Sequence, residues 1–327
     1  MRALLLLAIS AAALTVGAAQ AGPYRAPRDA AGHPDLSGLW TSTSLTELER
    51  PNAFKTLTVS DAEARAYEQR RPDEFATTDI DDIGGRQTEA GFWAVGAKLA
   101  RIDGKARTSW IVEPADGRLP YRPQGAAVRD RKVEAVKDRN NPESRNASER
   151  CLVAGWAMAG PPMINGPYGD EYQIVQTGQA VAIAMEINHD VRIVRLAAPG
   201  APASHPPTHI RPWMGDSIGR WEGETLVVET TNFNPGDAYK QPTTLYVSEA
   251  AKVTERFTRL GPAQLLYEFT VDDPETYARP WRAQMVFQAS KGPVFEYACH
   301  EGNYAMAGIL AGARHEEAQA QAKVTGK

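Results

Sequence analysis

The chain has 327 residues and a formal net charge of −4, with acidic and basic side chains mixed along its length. A nucleic-acid footprint needs clustered basic charge, and the densest charge run, Arg129-Asp130-Arg131-Lys132, alternates in sign and reads as a solvated face. Only two cysteines occur, Cys151 and Cys299, with no Cys-x-x-Cys pair, so no metal site is expected.

The first 21 residues read as a secretory signal peptide. Met1-Arg2 is a basic start, Ala3 to Val16 is uncharged and largely apolar, and Ala19-Gln20-Ala21 has the small-x-small pattern of a cleavage site, placing the cut near Ala21. The apolar run is too short to span a bilayer, and no later stretch approaches the ~20 apolar residues a span needs. There is no twin arginine and no cysteine at the cleavage site, so general export without a lipid anchor is expected. The mature chain is then periplasmic or secreted. In an oxidising compartment two cysteines most simply form one disulfide. Two buried free thiols are the competing reading.

Gly22 to Pro34, rich in Pro, Ala, Gly and Arg, reads as an extended arm. Gly38-x-Trp40 follows, the pattern that opens the first strand of lipocalin-type barrels, where the Trp plugs the closed end. Ser60 and Glu63 form a capping box, and Pro72 is the expected stop of that helix. Residues 76–106 read as irregular. Thr108 to Val112 reads as a strand, followed by a turn at Asp116-Gly117. Residues 123–150 are charged and hold at most one helix. From Asp170 the texture changes. "EYQIVQT", "AVAIAMEI", "VRIVRL", "ETLVVETTNF", "AKVTERFTRL", "AQLLYEFTV", "WRAQMVFQAS" and "PVFEYACHE" are eight candidate strands joined by short turns. That spacing predicts an antiparallel sheet that closes or nearly closes. Several strands have mixed faces: Val253, Glu255 and Phe257 share one side, for example. A barrel with a polar-lined pocket would produce this, and so would irregular strand ends. The tail from Gly308 reads as a fraying helix or a disordered end.

"RTSWIVEPADGRLPY", "ERCLVAG", "PWMGDSIGRWEGETLVVETTNF", "VTERFTRL", "YEFTVDDPETYARPW" and "FEYACHEGNY" occur in that order. The series resembles a large family of mostly uncharacterised secreted bacterial proteins, over roughly residues 34–305. The resemblance implies a lipocalin-like β-barrel in the C-terminal half. Some relatives sit in aromatic-compound catabolism, which implies lyase-type chemistry. The expected architecture is therefore a mainly β chain. A signal peptide (1–21) and an irregular, partly helical extension (22–164) precede an antiparallel lipocalin-like barrel (165–305), and a tail (306–327) follows. The extension should pack on the barrel, because its pieces are too short for a core of their own.

Three clusters carry chemistry. His205 and His209 have an i, i+4 spacing, but Pro206-Pro207 between them forbids a helix and weakens a metal reading. The prolines instead suggest a stiff loop over a pocket mouth. There Arg211 would hold a carboxylate or phenolate, and Trp213 would form an aromatic wall. Asp216 reads either as a substrate contact or as a turn residue capping its own backbone. The second cluster is His300 and Glu301, beside Cys299. The third is Glu186 in an apolar strand with Tyr168 upstream, where Tyr supplies a proton donor. Each has a structural alternative in ordinary hydrogen bonds and ion pairs.

Nucleotide, P-loop, Gly-x-Ser-x-Gly and His-Glu-x-x-His motifs are missing, so no cofactor is expected. The leading expectation is a cofactor-independent acid–base enzyme, lyase or isomerase, acting on a small, largely apolar molecule, aromatic ones included. Its catalytic groups would be His205, His209, His300, Glu301 and Tyr168, with Arg211, Trp213, Asp216 and Glu186 binding substrate. Histidine suits the role because its unperturbed pKa is about 6.5. The alternative is a periplasmic binding protein on the same barrel. The sharpest expectation is that His205, His209, Arg211 and Trp213 converge with His300 on one pocket at a barrel end, the proline segment being unable to join a ladder.

Overall fold

The computed structural model describes residues 24–77, 98–135, 138–154, 158–166, 169–198, 203–240 and 244–325. The signal-peptide segment lies outside them, as does Tyr168. In chain order the elements begin with β1 (Gly38–Thr41), β2 (Thr58–Val59), α1 (Asp61–Thr77), β3 (Arg101–Ile102), β4 (Lys105–Arg107), β5 (Ile111–Glu113) and α2 (Pro123–Ala135). The second half holds β6 (Glu171–Gln176), β7 (Ala180–Met185), β8 (Val191–Leu196), β9 (Asp216–Glu222) and β10 (Thr225–Thr231). It continues with β11 (Tyr239–Lys240), β12 (Leu245–Tyr246), β13 (Lys252–Gly261), β14 (Gln264–Asp272), β15 (Trp281–Ala289) and α3 (Ala305–Thr325).

The capping box starts α1 as expected: Glu63 N donates to Ser60 Oγ (3.3 Å), and Ser60 N donates back to Glu63 Oε2 (2.9 Å). Pro72 does not stop this helix, which runs on to Thr77. A proline removes one N–H, so the flanking turns can still close around it. The expected tail is helical and is α3.

Nine strands close a barrel in the order β1-β6-β7-β8-β9-β10-β13-β14-β15, with β15 returning to β1. The expectation of an antiparallel sheet needs one correction: β8 and β9 are parallel, with Val194 opposite Ser217. The reason is parity, since alternating directions cannot close a ring with an odd number of strands. Two of the nine, β1 and β9, were not among the eight candidates. The candidate "PVFEYACHE" is not a strand. Once β15 pairs with β1, no barrel edge is left for it, and Pro293 has no N–H to give a ladder. That segment is held by Ser290 N to Leu39 O (2.8 Å), by Phe295 N to Glu186 Oε2 (3.0 Å) and by a disulfide between Cys299 and Cys151.

The barrel interior is a packed core. Tyr172 stacks on Phe287 at 5.2 Å, and Tyr267 lies 5.0 Å from Phe257 and 5.1 Å from Phe287. Trp40 is buried, donates from Nε1 to Leu36 O (3.0 Å), and lies under the Arg259 guanidinium at 5.1 Å. The extension contributes to the same core: Trp110, Met158 and Met163 pack with the barrel side chains, and β5 pairs with β15. A small satellite core joins Leu45, Ala64, Tyr67, Leu99 and Ala106. Among the described residues no helix is long and apolar enough to cross a membrane.

The mixed face of β13 has a specific cause. Glu255 points inward and is fully buried, and Arg192 of β8 meets it with two hydrogen bonds of 2.5 and 2.9 Å. Tyr267 donates to Glu255 (2.7 Å) and accepts from Met163 N (2.9 Å), which ties segment 158–166 into the barrel. Burial alone opposes the charge on Arg192, but Glu255 more than offsets it and raises the guanidinium pKa. Replacing Glu255 by Gln strands this cation in a dry core, so E255Q should cost about 3–5 kcal/mol in urea unfolding, with R192M/E255L recovering most of it. A cost below about 1 kcal/mol would show that water reaches Arg192.

The disulfide spans a sequence separation of 148. On the chain-entropy model such a loop contributes about 4–5 kcal/mol. Reduction, or C151S/C299S, should therefore lower unfolding stability by several kcal/mol. An unchanged melting temperature under reductant would mean that packing around residues 148–154 and 158–166 holds without the bridge.

Candidate functional site

The polar segment before β9 is the connection that the parallel pair requires, since parallel neighbours need a long crossover. Residues 197–215 carry the chain from the end of β8 back to the start of β9. The described residues 203–215 of this segment lead into the first residue of β9. Gly219 makes the joint fit: a Cβ there would sit 2.8 Å from Val194 Cγ1 and 2.9 Å from Leu196 Cδ2.

The prolines leave carbonyls without the partners a ladder would give them. Asn232, in the left-handed region (φ 59) just past β10, supplies them, its Nδ2 donating to the carbonyls of Pro206 (3.1 Å), Pro207 (3.3 Å) and Ile210 (3.2 Å). Asn234 Nδ2 donates to Arg211 O (3.1 Å). The two asparagines that end the "TTNFN" run thus clamp the loop that precedes it. In the sequence they read only as a strand end and a turn.

Held this way, His205 lies over the outer faces of β9 and β10. Its Nδ1 is 2.6 Å from Asp216 Oδ2, and its Nε2 is 3.6 Å from Glu229 Oε1. Arg195 of β8 donates from Nη2 to both Asp216 oxygens (3.0 and 2.7 Å) and to Ser204 O (3.3 Å). Lys252 lies 3.7 Å from Glu229. Asp216 is therefore an ion-pair partner at the first position of β9. Beside this network the outer face of β8 exposes Val191 and Ile193, and the crossover exposes Ile210.

The other expected site residues are dispersed. His209 is exposed in the turn closed by Ile210 N to Pro207 O. Arg211 donates through Nη1 to Phe233 O (3.3 Å) and Glu249 O (3.1 Å), and the same nitrogen lies 3.5 Å from the Glu249 carboxylate. Trp213 packs on the core, close above Gly236. His300 and Glu301 are exposed in the turn after Cys299, and no hydrogen bond or ion pair joins His300 to either loop histidine. Glu186 accepts from Phe295 N on the same C-terminal segment.

Glu186 also marks a group that the sequence did not reveal. Asp170 and Glu171, at the start of β6, lie close enough to it to interact by charge. Thr43 Oγ1 donates to Asp170 Oδ1 (3.0 Å), while Asp170 Oδ2 is buried with no partner among the described residues. Burial, reinforced by the charges of Glu171 and Glu186, pushes the Asp170 carboxyl up from 3.8 to about 6. Burial raises Glu171 as well. Among the described residues no group of three His, Cys, Asp or Glu side chains is placed to hold a metal ion. No protein-family model matches the chain, and neither a curated protein nor a solved structure matches it.

A carboxyl whose folded-state pKa is raised destabilises the fold when it ionises. That cost is absent below about pH 4, grows as pH rises to about 6, and is complete above it. D170N removes the ionisation. Relative to the natural chain, the variant should gain about 2–3 kcal/mol of unfolding stability between pH 4 and pH 7.5. A difference that does not change with pH would place Asp170 in water.

Proposed function

We propose that the chain belongs with the secreted bacterial proteins whose motifs it shares, is exported, and uses a lipocalin-like barrel as a scaffold for cofactor-independent acid–base chemistry. The reaction is of the lyase or isomerase type, and the substrate is small and largely apolar. The observation that carries this reading is the His205 ring, pinned through Nδ1 at 2.6 Å by Asp216, itself fixed by Arg195. Such a partner sets ring orientation and places the N–H on Nδ1, which leaves Nε2 to take a proton. Glu229, 3.6 Å from Nε2, is a second proton-handling group at the same spot. Elimination and isomerisation both move a proton off one atom and onto another, so two such groups suffice. Exposed Val191, Ile193 and Ile210 offer an apolar surface beside them. The disulfide is compatible with export. The packed barrel interior directs the reading to the outer wall and away from the expected pocket at the barrel mouth.

The test is metabolite profiling. The purified protein and H205N, matched in circular dichroism, are incubated with extract of the native host, and small molecules are followed by mass spectrometry. The natural chain should consume an apolar compound and yield an isomer or an elimination product, with H205N slower by about 100-fold or more. A compound retained unchanged by both proteins would sink catalysis and leave the binding-protein reading.

A further inference from the structure

Two turns of the extension face each other across a cleft of about 240 Å³, lined by Arg50, Asn52, Phe54, Lys55, Asp116 and Arg118. None of these residues belongs to the His205 network. The first turn follows Arg50, whose N–H donates to Gly117 O (2.9 Å); the second is closed by Gly117 N to Pro114 O (3.0 Å). Gly117 is required at the contact. Its φ is +72, and a Cβ would lie 2.9 Å from Arg50 Cβ and 3.1 Å from the guanidinium carbon. A side chain there would push the two turns apart.

The charges in this cleft are unbalanced. Arg50 is only 6% exposed. Its Nη1 donates to Ala115 O (3.0 Å), but its Nε is buried without a partner, and among the described residues no carboxylate lies within ion-pair distance of it. Arg118 donates to Asn52 Oδ1 (2.6 Å), a neutral group. Asp116 turns one oxygen back onto Arg118 N (3.0 Å), as a turn residue does. Three cations therefore line a small concave site against a single carboxylate, and one of them is desolvated. A buried charge is costly unless an opposite charge meets it. Glu49, next in sequence to Arg50, does not supply it: its carboxylate accepts from Leu119 N (2.9 Å) and Thr244 Oγ1 (2.7 Å). Phe54, held against Tyr67 at 4.7 Å, adds one apolar wall.

We propose that this cleft is a binding site for a small organic carboxylate with an apolar body. The planar carboxylate is met by the exposed guanidinium of Arg118 with the charge of Arg50 behind it, Lys55 adds a point charge at the rim, and the body lies on Phe54. A cleft of about 240 Å³ is room enough for a single ring.

Benzoate is the probe, with benzamide as its neutral counterpart and inorganic phosphate as an anion without an apolar body. Binding is followed by chemical-shift titration of the full chain. Benzoate should saturate, benzamide should not, and K55Q/R118Q, both at exposed positions and so compatible with folding, should weaken benzoate about tenfold or more. H205N should bind benzoate like the natural chain, which separates this site from the proposed reaction. The proposal is overturned if benzoate does not saturate by about 10 mM, if K55Q/R118Q binds it undiminished, or if phosphate saturates the site and benzoate does not.

Discussion

A ring of strands that all run antiparallel to their neighbours must have an even number of members, and this barrel has nine. One parallel joint is therefore unavoidable, and the chain places it between β8 and β9. Everything unusual about the segment before β9 follows from this. A parallel joint demands a crossover that runs back along the barrel. A crossover on the surface cannot share the barrel's ladder, so its backbone groups need other partners. Pro206 and Pro207 reduce the number of donors to be satisfied, and Asn232 answers the remaining carbonyls. Gly219 lets Val194 and Leu196 fill the space beneath the joint.

The interior is specified by a second constraint. Glu255 and Arg192 are both desolvated, so each is tolerable only in the presence of the other. Tyr267 completes the acceptor side of Glu255 and carries the network to Met163. Residues 158–166 are thus tied to the barrel through Tyr267 and through Tyr172, whose hydroxyl donates to Met158 O, and the Cys151–Cys299 bridge lies nearby in sequence. A barrel filled in this way acts as a rigid wall.

The two outer sites differ in kind. At His205 every charge has a partner, and the ring is oriented by a carboxylate that is itself held by an arginine. That is the order a proton-transfer group needs. At Arg50 no carboxylate among the described residues meets the guanidinium, which is the condition an anionic ligand relieves. The first arrangement suits a reaction, and the second suits recognition.

Much of the barrel was legible in the sequence because hydrophobic alternation is a local signal. Seven of the eight candidate strands are strands of the barrel, the capping box at Ser60 followed from residue types, and the Cys151–Cys299 bridge was the simpler of the two readings that the cysteine count left open. The alternation placed Glu255 on one face with Val253 and Phe257, but neither that this face points inward nor its partner, roughly 60 residues away on another strand, was legible. What only the tertiary structure decided was the closure. Whether β15 returns to β1 is a long-range pairing, and that pairing removed the last candidate strand, set the odd strand count and forced the parallel joint. It also decided which histidine gained carboxylate neighbours: His205 meets Asp216 and Glu229, whereas His209 and His300, equally prominent in the sequence, face solvent. Residue type and spacing state what a side chain is able to do. The closure of the sheet determines which side chains stand within 3 or 4 Å of one another, and that distance is what acid–base chemistry and ion pairing depend on.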